Sequence, residues 1–498
     1  MPLEHFTNLL NTKYLSHNKN TMKLTKIVAT LGPATETEES IKQLLESGVN
    51  VVRFNFKHGE VNWHKERVQR VRNVANQLGL YTGILIDLQG PEVRGLIGDN
   101  DGYPLTQGQQ YPLVAKDPDA NKQQIAFTHP DIIEHLQEDQ LVMAADGAIR
   151  FKVRKHDGHT FLESLVNAKL GHHKTFNFPG AEYPLPLLTD HDYDGIKLAA
   201  DVEADYIALS FVRTLEDIQQ FKQELTKHNA NGQVVAKIEN QQAINNLKAI
   251  IKATDTVMVA RGDLGVELPI EQVPYYTKKI IKLCNDYNKP VITATQMLMS
   301  MVDNELPTRA EVTDIANAAF SHSDAVMLSD ESAMGKHPIE AVQMMARTAT
   351  YNEQKFSVDT RTLYKFESQD RAGMLTEAAY DLYLKSKRED RPAAGFIVFT
   401  HSGLTAHRLS GFKPQAPIIA VCPSEQVARS LSLRFGVQSY VHKANTADAS
   451  PVEVDQIQTA INLLITEGII ENNKKYIILY GDFWSIKGGT STLKVITS

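Results

Sequence analysis

The sequence of 498 residues contains only two cysteines, Cys284 and Cys422. Two thiols cannot build a disulfide framework or a cysteine-based metal cluster, so a reducing compartment, the cytoplasm, is expected. No apolar run approaches the roughly 20 residues that a membrane-spanning helix needs. A basic excess is also absent, because 52 Lys and Arg stand against 59 Asp and Glu. This balance argues against broad nucleic-acid binding.

Short apolar runs rich in Val and Ile recur along the chain, with amphipathic segments between them. Strands that are so uniformly apolar are buried on both faces, as parallel strands covered by helices are. Eight such runs lie at 26–32, 49–56, 81–88, 206–212, 233–240, 255–262, 290–296 and 324–329. Eight β–α units of this kind favour a (β/α)8 TIM barrel over the alternative, an open doubly wound sheet.

The spacing of these runs predicts the domain organisation. About 100 residues with Gly and Asp turn signals separate the third run from the fourth, which indicates a small β-barrel lid domain inserted at the mouth of the barrel. Five further strand candidates after residue 362 indicate a C-terminal α/β regulatory domain. The N-terminus lacks the basic start and long apolar core of a secretory signal. The predicted divisions are a tail at 1–23, a catalytic barrel at 24–88 and 189–361, the lid at 89–188 and the regulatory domain at 362–498.

Charged residues follow the predicted strands at the ends where barrel enzymes carry their catalytic groups. In the stretch VVAKIEN, Lys237 and Glu239 are two residues apart and therefore point to the same side of a strand. Glu239 and Asp263, from neighbouring strands, offer hard oxygen ligands for one Mg²⁺ or Mn²⁺ ion, and Lys237 beside them suits a bridging phosphoryl group. The segment GDLG opens a helix, so the amides of Gly262 and Asp263 are candidates to bind a carboxylate or phosphate. A single pair of this kind is usually a solvated ion pair, but six polar strand ends favour an active site.

Two polar motifs have simpler structural interpretations. The run TDHDYD at 189–194 resembles part of a calcium-binding loop, but Thr189 and Asp192 fit a helix capping box and the rest of the calcium pattern is absent. Thr308 and Glu311 in PTRAE have the same spacing. Both motifs are therefore predicted to begin helices.

Seven motifs together resemble those of the pyruvate kinase family. They are TKIVATLGPAT, VVRFNFKHG, LIDLQGPEVR, VAKIEN, VMVARGDLGVELP, VITATQML and LPTRAEVTDIANA, and their order and spacing match from about residue 24 to the end. The resemblance implies phosphoryl transfer from phosphoenolpyruvate to ADP, giving pyruvate and ATP in glycolysis. It further implies a cytoplasmic homotetramer, with a sugar-phosphate effector in the C-terminal domain, no nucleic-acid partner and no membrane partner.

The resemblance also assigns roles to single residues. Lys237 corresponds to the lysine that stabilises charge on the phosphoryl group in flight, and Glu239 and Asp263 correspond to the Mg²⁺ ligands. Arg53 corresponds to the phosphate-binding arginine, and Thr295 to the residue on the enolate face where a proton must arrive. The implied substrate contacts are Arg53, Lys237, Gly262, Asp263 and Thr295, and the implied nucleotide contacts are Asn55, His58, Arg94 and Lys174 of the lid. The implied effector loop contains Thr400, Ser402, Gly403 and Thr405, for which an ordinary capped helix start is the alternative.

The chain departs from the family pattern at the site of the activating monovalent cation, whose corresponding residues are Asn55, Lys57, Asp87 and Leu88. Lys57 replaces a serine that binds this cation. We hypothesise that the Lys57 ammonium, held by Asn55 and Asp87, substitutes for K⁺, and the alternative is that Lys57 swings out and leaves an impaired site. Asp330 also replaces a glycine near the mouth.

Two alternative functions, each of a different class from the kinase, remain open at this point. A degenerate homologue would bind phosphometabolites and act by regulation or assembly, and a lyase would act on an enolate without nucleotide contacts.

Overall fold

The computed structural model describes residues 23–99, 101–180, 185–355, 370–442, 454–481 and 489–498. The strands are β1 Lys26–Thr30, β2 Val51–Asn55, β3 Gly83–Asp87, β4 Gly95–Ile97, β5 Tyr103–Leu105, β6 Gln110–Pro112, β7 Ile125–Phe127, β8 Leu141–Ala144, β9 Ile149–His156, β10 His159–Ser164, β11 Ala168–Leu170, β12 Phe176–Asn177, β13 Tyr206–Leu209, β14 Gln233–Ile238, β15 Thr256–Ala260, β16 Val291–Ala294, β17 Ala325–Leu328, β18 Ala393–Phe399, β19 Ile418–Cys422, β20 Val437–Val441, β21 Lys475–Gly481 and β22 Thr490–Thr497.

The helices are α1 Glu38–Glu46, α2 Val61–Gln77, α3 Ile132–His135, α4 Asp190–Asp201, α5 Leu215–Lys227, α6 Gln241–Asn245, α7 Leu247–Ala253, α8 Arg261–Glu267, α9 Val273–Asp286, α10 Arg309–Phe320, α11 Asp330–Ala333, α12 Pro338–Glu353, α13 Arg371–Ser386, α14 Leu404–Gly411, α15 Glu425–Ser430 and α16 Val454–Thr466. No helix among the described residues is long and apolar enough to cross a membrane.

The eight predicted apolar runs form one closed parallel barrel in the order β1-β2-β3-β13-β14-β15-β16-β17, which confirms the predicted fold class. Its strands are buried on both faces because helices cover the outside and apolar side chains fill the inside. The inward-facing cluster contains Val28, Leu85, Val235 and Ile292. Since all eight strands run the same way, their C-terminal ends meet at one rim, and this rim collects the predicted site residues.

Capping boxes begin several of the barrel helices. Thr189 accepts from the amide of Asp192 at the start of α4, and Thr308 accepts from the amide of Glu311 at the start of α10. Both predicted capping boxes are therefore confirmed. These caps satisfy amides that the helix itself leaves without partners.

Between β3 and β13 the chain forms nine short strands. Five of them build a sheet in the order β12-β8-β9-β10-β6, and the others pair as β11-β5 and β4-β7. The insert has its own apolar core, which includes Tyr111, Phe127, Phe151 and Phe176. Its boundaries at 89–188 and its action as a lid remain predictions.

The C-terminal unit is an α/β sheet in the order β20-β19-β18-β21-β22, with β22 antiparallel to β21. It packs on the N-terminal ends of the barrel strands. Leu433 is fully buried with the residues that fill the barrel interior, and Tyr206 at the start of β13 donates from its hydroxyl to the Ser430 carbonyl at 2.9 Å. The C-terminal unit therefore lies at the end of the barrel opposite the rim that carries the site. The predicted tail (except Lys23) and the predicted barrel boundary at 361 lie outside the described residues.

Candidate active site

Lys237, near the end of β14, is the centre of a charge network at the rim of the barrel. Its Nζ lies 2.8 Å from Glu239 Oε1 and 3.4 Å from Asp87 Oδ1, and it donates to Ser210 Oγ at 2.7 Å. Burial opposes the charge on Lys237, but Asp87 and Glu239 outweigh burial and raise the pKa of the ammonium above its ordinary value. Lys237 is therefore a fixed, permanently protonated cation.

Asp87, at the end of β3, joins Lys237 to Arg53. Arg53 Nε donates to Asp87 Oδ2 at 2.7 Å, and Arg53 Nη1 donates to Thr30 Oγ1 at 2.9 Å. Asp87 is only 1% exposed, and although burial works against its charge, Lys237 and Arg53 hold the pKa of its carboxyl below the ordinary value. Asp87 thus holds two cations side by side at the rim, where a phosphoryl oxygen is a suitable further partner for both.

Glu239 and Asp263 are the carboxylates predicted to bind a divalent cation. Glu239 Oε2 accepts from the amide of Phe211 at 2.8 Å, and burial together with Asp263 raises the pKa of Glu239 to about 7 against the opposing effect of Lys237. Asp263 keeps exposed surface, yet burial raises the pKa of its carboxyl as well, and Glu92 and Asp87 add to the effect.

This pair of carboxylates fits a hard divalent cation. A cation between them would offset the repulsion between the two carboxylates, and carboxylate oxygens are the donors that Mg²⁺ prefers. Among the described residues, no group of three or more His, Cys, Asp and Glu side chains is placed to hold a metal by itself. The donor set therefore suits an ion that completes its shell with substrate oxygens and water.

Gly262 and Thr295 lie together at the adjoining strand ends. Helix α8 begins directly after β15, and the Gly262 amide donates to Thr295 Oγ1 at 2.8 Å, while that hydroxyl donates to the Ala294 carbonyl at 2.7 Å. Thr295 and Gln296 have φ values of +64° and +55°, in the left-handed region that non-glycine residues rarely adopt. Such backbone strain is typical of functional sites that the surrounding structure holds in place.

Arg261 and Asp314 hold this strained turn, and sequence reasoning gave neither of them a role. Arg261 Nε donates to the Ala294 carbonyl at 3.0 Å, Nη2 donates to the Thr295 carbonyl at 2.6 Å, and Nη1 donates to Asp314 Oδ2 at 2.7 Å. Asp314 lies in the middle of α10, far along the chain from the end of β16 at Ala294, so reading the strand ends alone does not find it. Ser210, which contacts Lys237, was also missed, although it directly follows β13 and the same rule points to it.

Lys57 has a different partner from the one expected. Its Nζ donates to Glu92 Oε1 at 2.5 Å, whereas the Asp87 carboxylate contacts Arg53 and Lys237. Asn55 Oδ1 accepts from the backbone amide of Lys57 at 3.3 Å rather than from its ammonium. The expectation that Asn55 and Asp87 hold the ammonium is therefore wrong, because two nearer cations already occupy Asp87.

The charge of Lys57 still reaches the site, because it lowers the pKa of Asp263 against the effect of burial. Leu88, the fourth residue of this region, has a buried side chain, and its carbonyl accepts from the Ser210 hydroxyl at 2.7 Å.

The predicted nucleotide contacts border the same rim. Arg94 Nη2 donates to Glu92 Oε2 at 2.6 Å, so Glu92 joins Arg94 to Lys57. Lys174 is exposed on the strand region of the insert that pairs with Arg94, and its carbonyl accepts from the Gly95 amide at 2.9 Å. His58 is exposed, and burial of part of its ring, with Lys57, lowers its pKa. The carboxylates of Glu92 and Asp330 partly oppose this lowering.

The predicted effector loop is divided between buried and accessible residues. Thr400 and Thr405 are buried, and Thr405 Oγ1 is 2.6 Å from Thr490 Oγ1. Gly403 has a φ of +82° and precedes α14, which begins without a side-chain cap. An ordinary capped helix start therefore remains the alternative to an effector loop, with Gly403 rather than a polar side chain at the N-cap.

Comparisons with known proteins cover nearly the whole chain. The families described as "Pyruvate kinase, barrel domain" and "Pyruvate kinase, alpha/beta domain" match residues 22–342 and 385–496. The pyruvate kinase of Sporosarcina psychrophila is 37% identical over 478 residues, which are 94% of this chain and 78% of that protein. The pyruvate kinase of Clostridium acetobutylicum is 36% identical over 480 residues, covering 95% and 99%. A crystal structure of a pyruvate kinase from Cryptosporidium parvum superimposes with a TM-score of 0.87 at 30% identity, covering 95% of this chain and 96% of that one.

Proposed function

This chain belongs to the pyruvate kinase family, and on this premise we propose which of its residues carry the reaction. The reaction transfers the phosphoryl group of phosphoenolpyruvate to ADP and requires a divalent cation. The observation that supports the assignment most strongly is Lys237, fixed between Asp87, Glu239 and Ser210.

Lys237 and Arg53 bind and stabilise the phosphoryl group. In phosphoryl transfer, negative charge is spread over the three oxygens of the group in flight, so catalysis depends on cations fixed in advance. Asp87 fixes both cations and is itself too acidic to take their protons. The positive groups therefore need no rearrangement when charge develops on the substrate.

Glu239 and Asp263 hold the divalent cation, which we propose to be Mg²⁺ or Mn²⁺. When bound, the ion neutralises charge on phosphoryl and enolate oxygens. The Lys237 ammonium holds Glu239 in place from one side and the Phe211 amide holds it from the other. The carboxylate is thus oriented by protein groups before the ion arrives.

Gly262, Asp263 and Thr295 bind the substrate's carboxylate end. In the present conformation the Gly262 amide donates to Thr295 Oγ1. A substrate carboxylate at Gly262 replaces that acceptor, and the Thr295 hydroxyl is then free to turn its proton from the Ala294 carbonyl towards the enolate face. Pyruvate acquires its proton on that face, and the hydroxyl regains a proton from water.

Asn55, His58, Arg94 and Lys174 contact ADP, with the insert acting as a lid over the mouth. Arg94 and Lys174 belong to the base of the insert, and Glu92 ties Arg94 to Lys57 on the barrel. Because the Glu92 carboxylate contacts a residue of the insert and a residue of the barrel, it supports a nucleotide site formed by the barrel and the lid together.

The first experiment measures pyruvate formation from phosphoenolpyruvate and ADP with Mg²⁺, for the wild type and for Lys237→Met. We expect a folded wild type to be active and a folded Lys237→Met to lose at least about 1,000-fold in kcat, as removal of a fixed charge from a phosphoryl site does. A folded wild type without activity would favour the regulatory homologue. ADP binding that cannot be detected would favour the lyase.

The Lys57 ammonium supplies the positive charge that a monovalent cation supplies in relatives with serine at this position. Its pairing with Glu92 fixes the charge within reach of Asp263. Activity in buffer rigorously free of K⁺ is therefore expected for the wild type. Lys57→Ser should need added K⁺, and Lys57→Met, which has neither the charge nor a cation ligand, should be weak with or without K⁺. Strong K⁺ activation of the wild type would contradict this proposal.

We extend the proposal to a cytoplasmic homotetramer with a sugar-phosphate effector at Thr400, Ser402, Gly403 and Thr405. Exposed Tyr275 on α9, with exposed Ile270 and Leu306 in neighbouring loops of the barrel, supports assembly, because large apolar side chains at a surface are candidates to be covered by a partner. Mass photometry at micromolar concentration distinguishes a tetramer from a dimer or monomer.

A further inference from the structure

Two histidines hold the backbone on either side of Lys57, in the loop that joins β2 to α2. The Phe56 carbonyl accepts a hydrogen bond from His191 Nε2 at 2.7 Å, and the His58 carbonyl accepts one from His64 Nε2 at 2.7 Å. A carbonyl oxygen can only accept, so each Nε2 carries a hydrogen. The loop is therefore bound at both carbonyls that flank Lys57, by side chains from two different helices.

The aromatic rings of these residues pack together. The Phe56 ring is fully buried, stacks on the His191 ring with centroids 4.5 Å apart and meets the His64 ring at 5.1 Å. His64 is 1% exposed, and the edge of its ring contacts Trp63 at 4.9 Å. Because both imidazoles pack on one buried ring, close packing fixes their orientation and with it the hydrogen bonds to the loop.

The first turn of α4 binds a second loop of the rim as well. Asp192, which follows His191, is completely buried, and its Oδ1 accepts from the Gly90 amide at 3.0 Å. Its Oδ2 closes the capping box that begins the helix. Adjacent side chains of one capped turn thus reach the loop that carries Lys57 and the loop that carries Glu92.

One turn further along α4, Gly195 brings the helix close to both loops. A β-carbon on Gly195 would lie 2.5 Å from a methyl group of Leu88 and 2.9 Å from the Phe56 ring. These distances are well short of the roughly 3.5–4.0 Å at which carbon atoms pack. Helix α4 therefore lies against both loops and sets the distance between them.

The ion pair of Lys57 with Glu92 spans the same two loops. Lys57 Nζ lies 2.5 Å from Glu92 Oε1, although the Lys57 side chain is 31% exposed. A lysine this accessible ordinarily gains little from an ion pair, because fixing its flexible side chain costs entropy. A short pair at this position depends on loops that are held at a set separation, and the contacts of α4 provide that separation.

We propose that His191 is a positioning residue that holds the Lys57 ammonium against Glu92 from the first turn of α4. It acts through the Phe56 carbonyl and not by contact with a substrate, and His64 supports the same loop from the other side. The proposal rests on the function proposed for Lys57 in place of a monovalent cation, and it adds the residue that keeps this charge in place.

The test is a double-mutant cycle in buffer free of K⁺, with pyruvate formation as the readout. His191→Phe keeps a stacked ring and removes the donor, so kcat should fall about 5- to 10-fold, the size of one lost hydrogen bond. In the Lys57→Met background the same change should lower kcat less than about twofold, because the residue through which His191 acts is gone. His191→Gln, whose amide can donate to the Phe56 carbonyl, should stay within about twofold of the wild type.

His156→Phe is the matched control. His156 also stacks on a phenylalanine, Phe161, with centroids 4.3 Å apart, and its Nε2 is hydrogen-bonded to Gln110, but it lies on β9 of the insert. Its replacement should leave kcat unchanged. Equal losses from His191→Phe in the two Lys57 backgrounds, or a wild-type kcat in His191→Phe where Lys57→Met is impaired, would overturn the proposal.

A second readout separates this proposal from the proposed function of Lys57. A wild-type kcat in Lys57→Met would refute that function, and the positioning of Lys57 is then measured by the thermal unfolding midpoint. Lys57→Met should lower the midpoint by breaking the pair with Glu92, and it should lower the midpoint less in the His191→Phe background. Equal midpoint losses in the two backgrounds would overturn the positioning role, whatever the activities are.

Discussion

Replacing Arg261 by lysine tests whether the strained turn at Thr295 is held for catalysis. Arg261 binds two carbonyls of the turn and Asp314 at the same time, with distances of 2.6 to 3.0 Å. A hydrogen bond from a charged donor contributes about 1.5–3 kcal/mol, and a lysine cannot span the three acceptors that the guanidinium fork reaches. Left-handed backbone at Thr295 and at Gln296 costs about 1–3 kcal/mol each, so the turn relaxes once the arginine is lost.

We expect Arg261→Lys to lose about 2–3 kcal/mol of transition-state stabilisation, which lowers kcat/KM for phosphoenolpyruvate about 30- to 150-fold. The KM for ADP should not change, because the turn at Thr295 lies on the side of the rim that we assign to phosphoenolpyruvate. Steady-state kinetics with each substrate varied, together with a urea titration, separates this effect from a loss of folding.

Arg213→Lys is the matched control. Arg213 also binds an aspartate and a carbonyl near a strand end, Asp217 and Leu185 at 3.2 Å each, but it does not contact Thr295. It should keep its kcat/KM within a few fold. Equal losses in the two variants, or an Arg261→Lys variant with normal kcat/KM, would refute the positioning argument.

Three further predictions concern stability. Burial raises the pKa of Glu267 from an ordinary 4.5 to about 7, so its neutral form stabilises the fold below about pH 4.5 and this contribution is lost as the pH rises through 7. Glu267→Gln should therefore raise the free energy of unfolding by about 2 kcal/mol at pH 8 and hardly change it at pH 5. Urea titrations at the two pH values measure this difference. Equal effects at both pH values would contradict the raised pKa of Glu267. Lys413 Nζ and Asp324 Oδ1 form a buried ion pair at 2.6 Å. Lys413→Met should lower the free energy of unfolding by about 3–5 kcal/mol, because it leaves the buried carboxylate without its cation. A thermal midpoint like that of the exposed-site variant Lys42→Met would be inconsistent with this expectation. Gly90 has a φ of +74°, and a β-carbon there would lie 2.8 Å from the Phe211 ring. Gly90→Ala should therefore lower the free energy of unfolding by at least about 2 kcal/mol, and it should lower kcat by displacing the Phe211 amide from Glu239. A fully active variant would show that the loop tolerates the shift.

The fold was predictable from the sequence because parallel barrel strands are apolar along their whole length. Every one of the eight runs became a barrel strand, and each began or ended within a few residues of its predicted range. The rim was predictable for the same reason: parallel strands bring their C-terminal ends together whatever the detailed packing. Lys237 and Glu239 needed only the two-residue repeat of a strand to be placed on one side.

Contacts between side chains from distant parts of the chain were not predictable in the same way. Lys57 was assigned to Asp87 because both correspond to residues of the family's monovalent-cation site, but Arg53 and Lys237 compete for that carboxylate and leave Lys57 to Glu92. Sequence spacing gives no measure of such a competition. The left-handed backbone at Thr295 was equally unpredictable from the sequence, because threonine rarely adopts a positive φ and only the surrounding structure maintains it.

Strand β13 has a consequence for communication between the two ends of the molecule. Its first residue, Tyr206, is hydrogen-bonded to Ser430 and Leu433 of the C-terminal unit, and the residue after its last, Ser210, accepts a hydrogen bond from the Lys237 ammonium. The two contacts are about 13 Å apart along an extended backbone that is hydrogen-bonded on both sides. One short strand with no intervening loop therefore joins a contact of the C-terminal unit to a contact of Lys237.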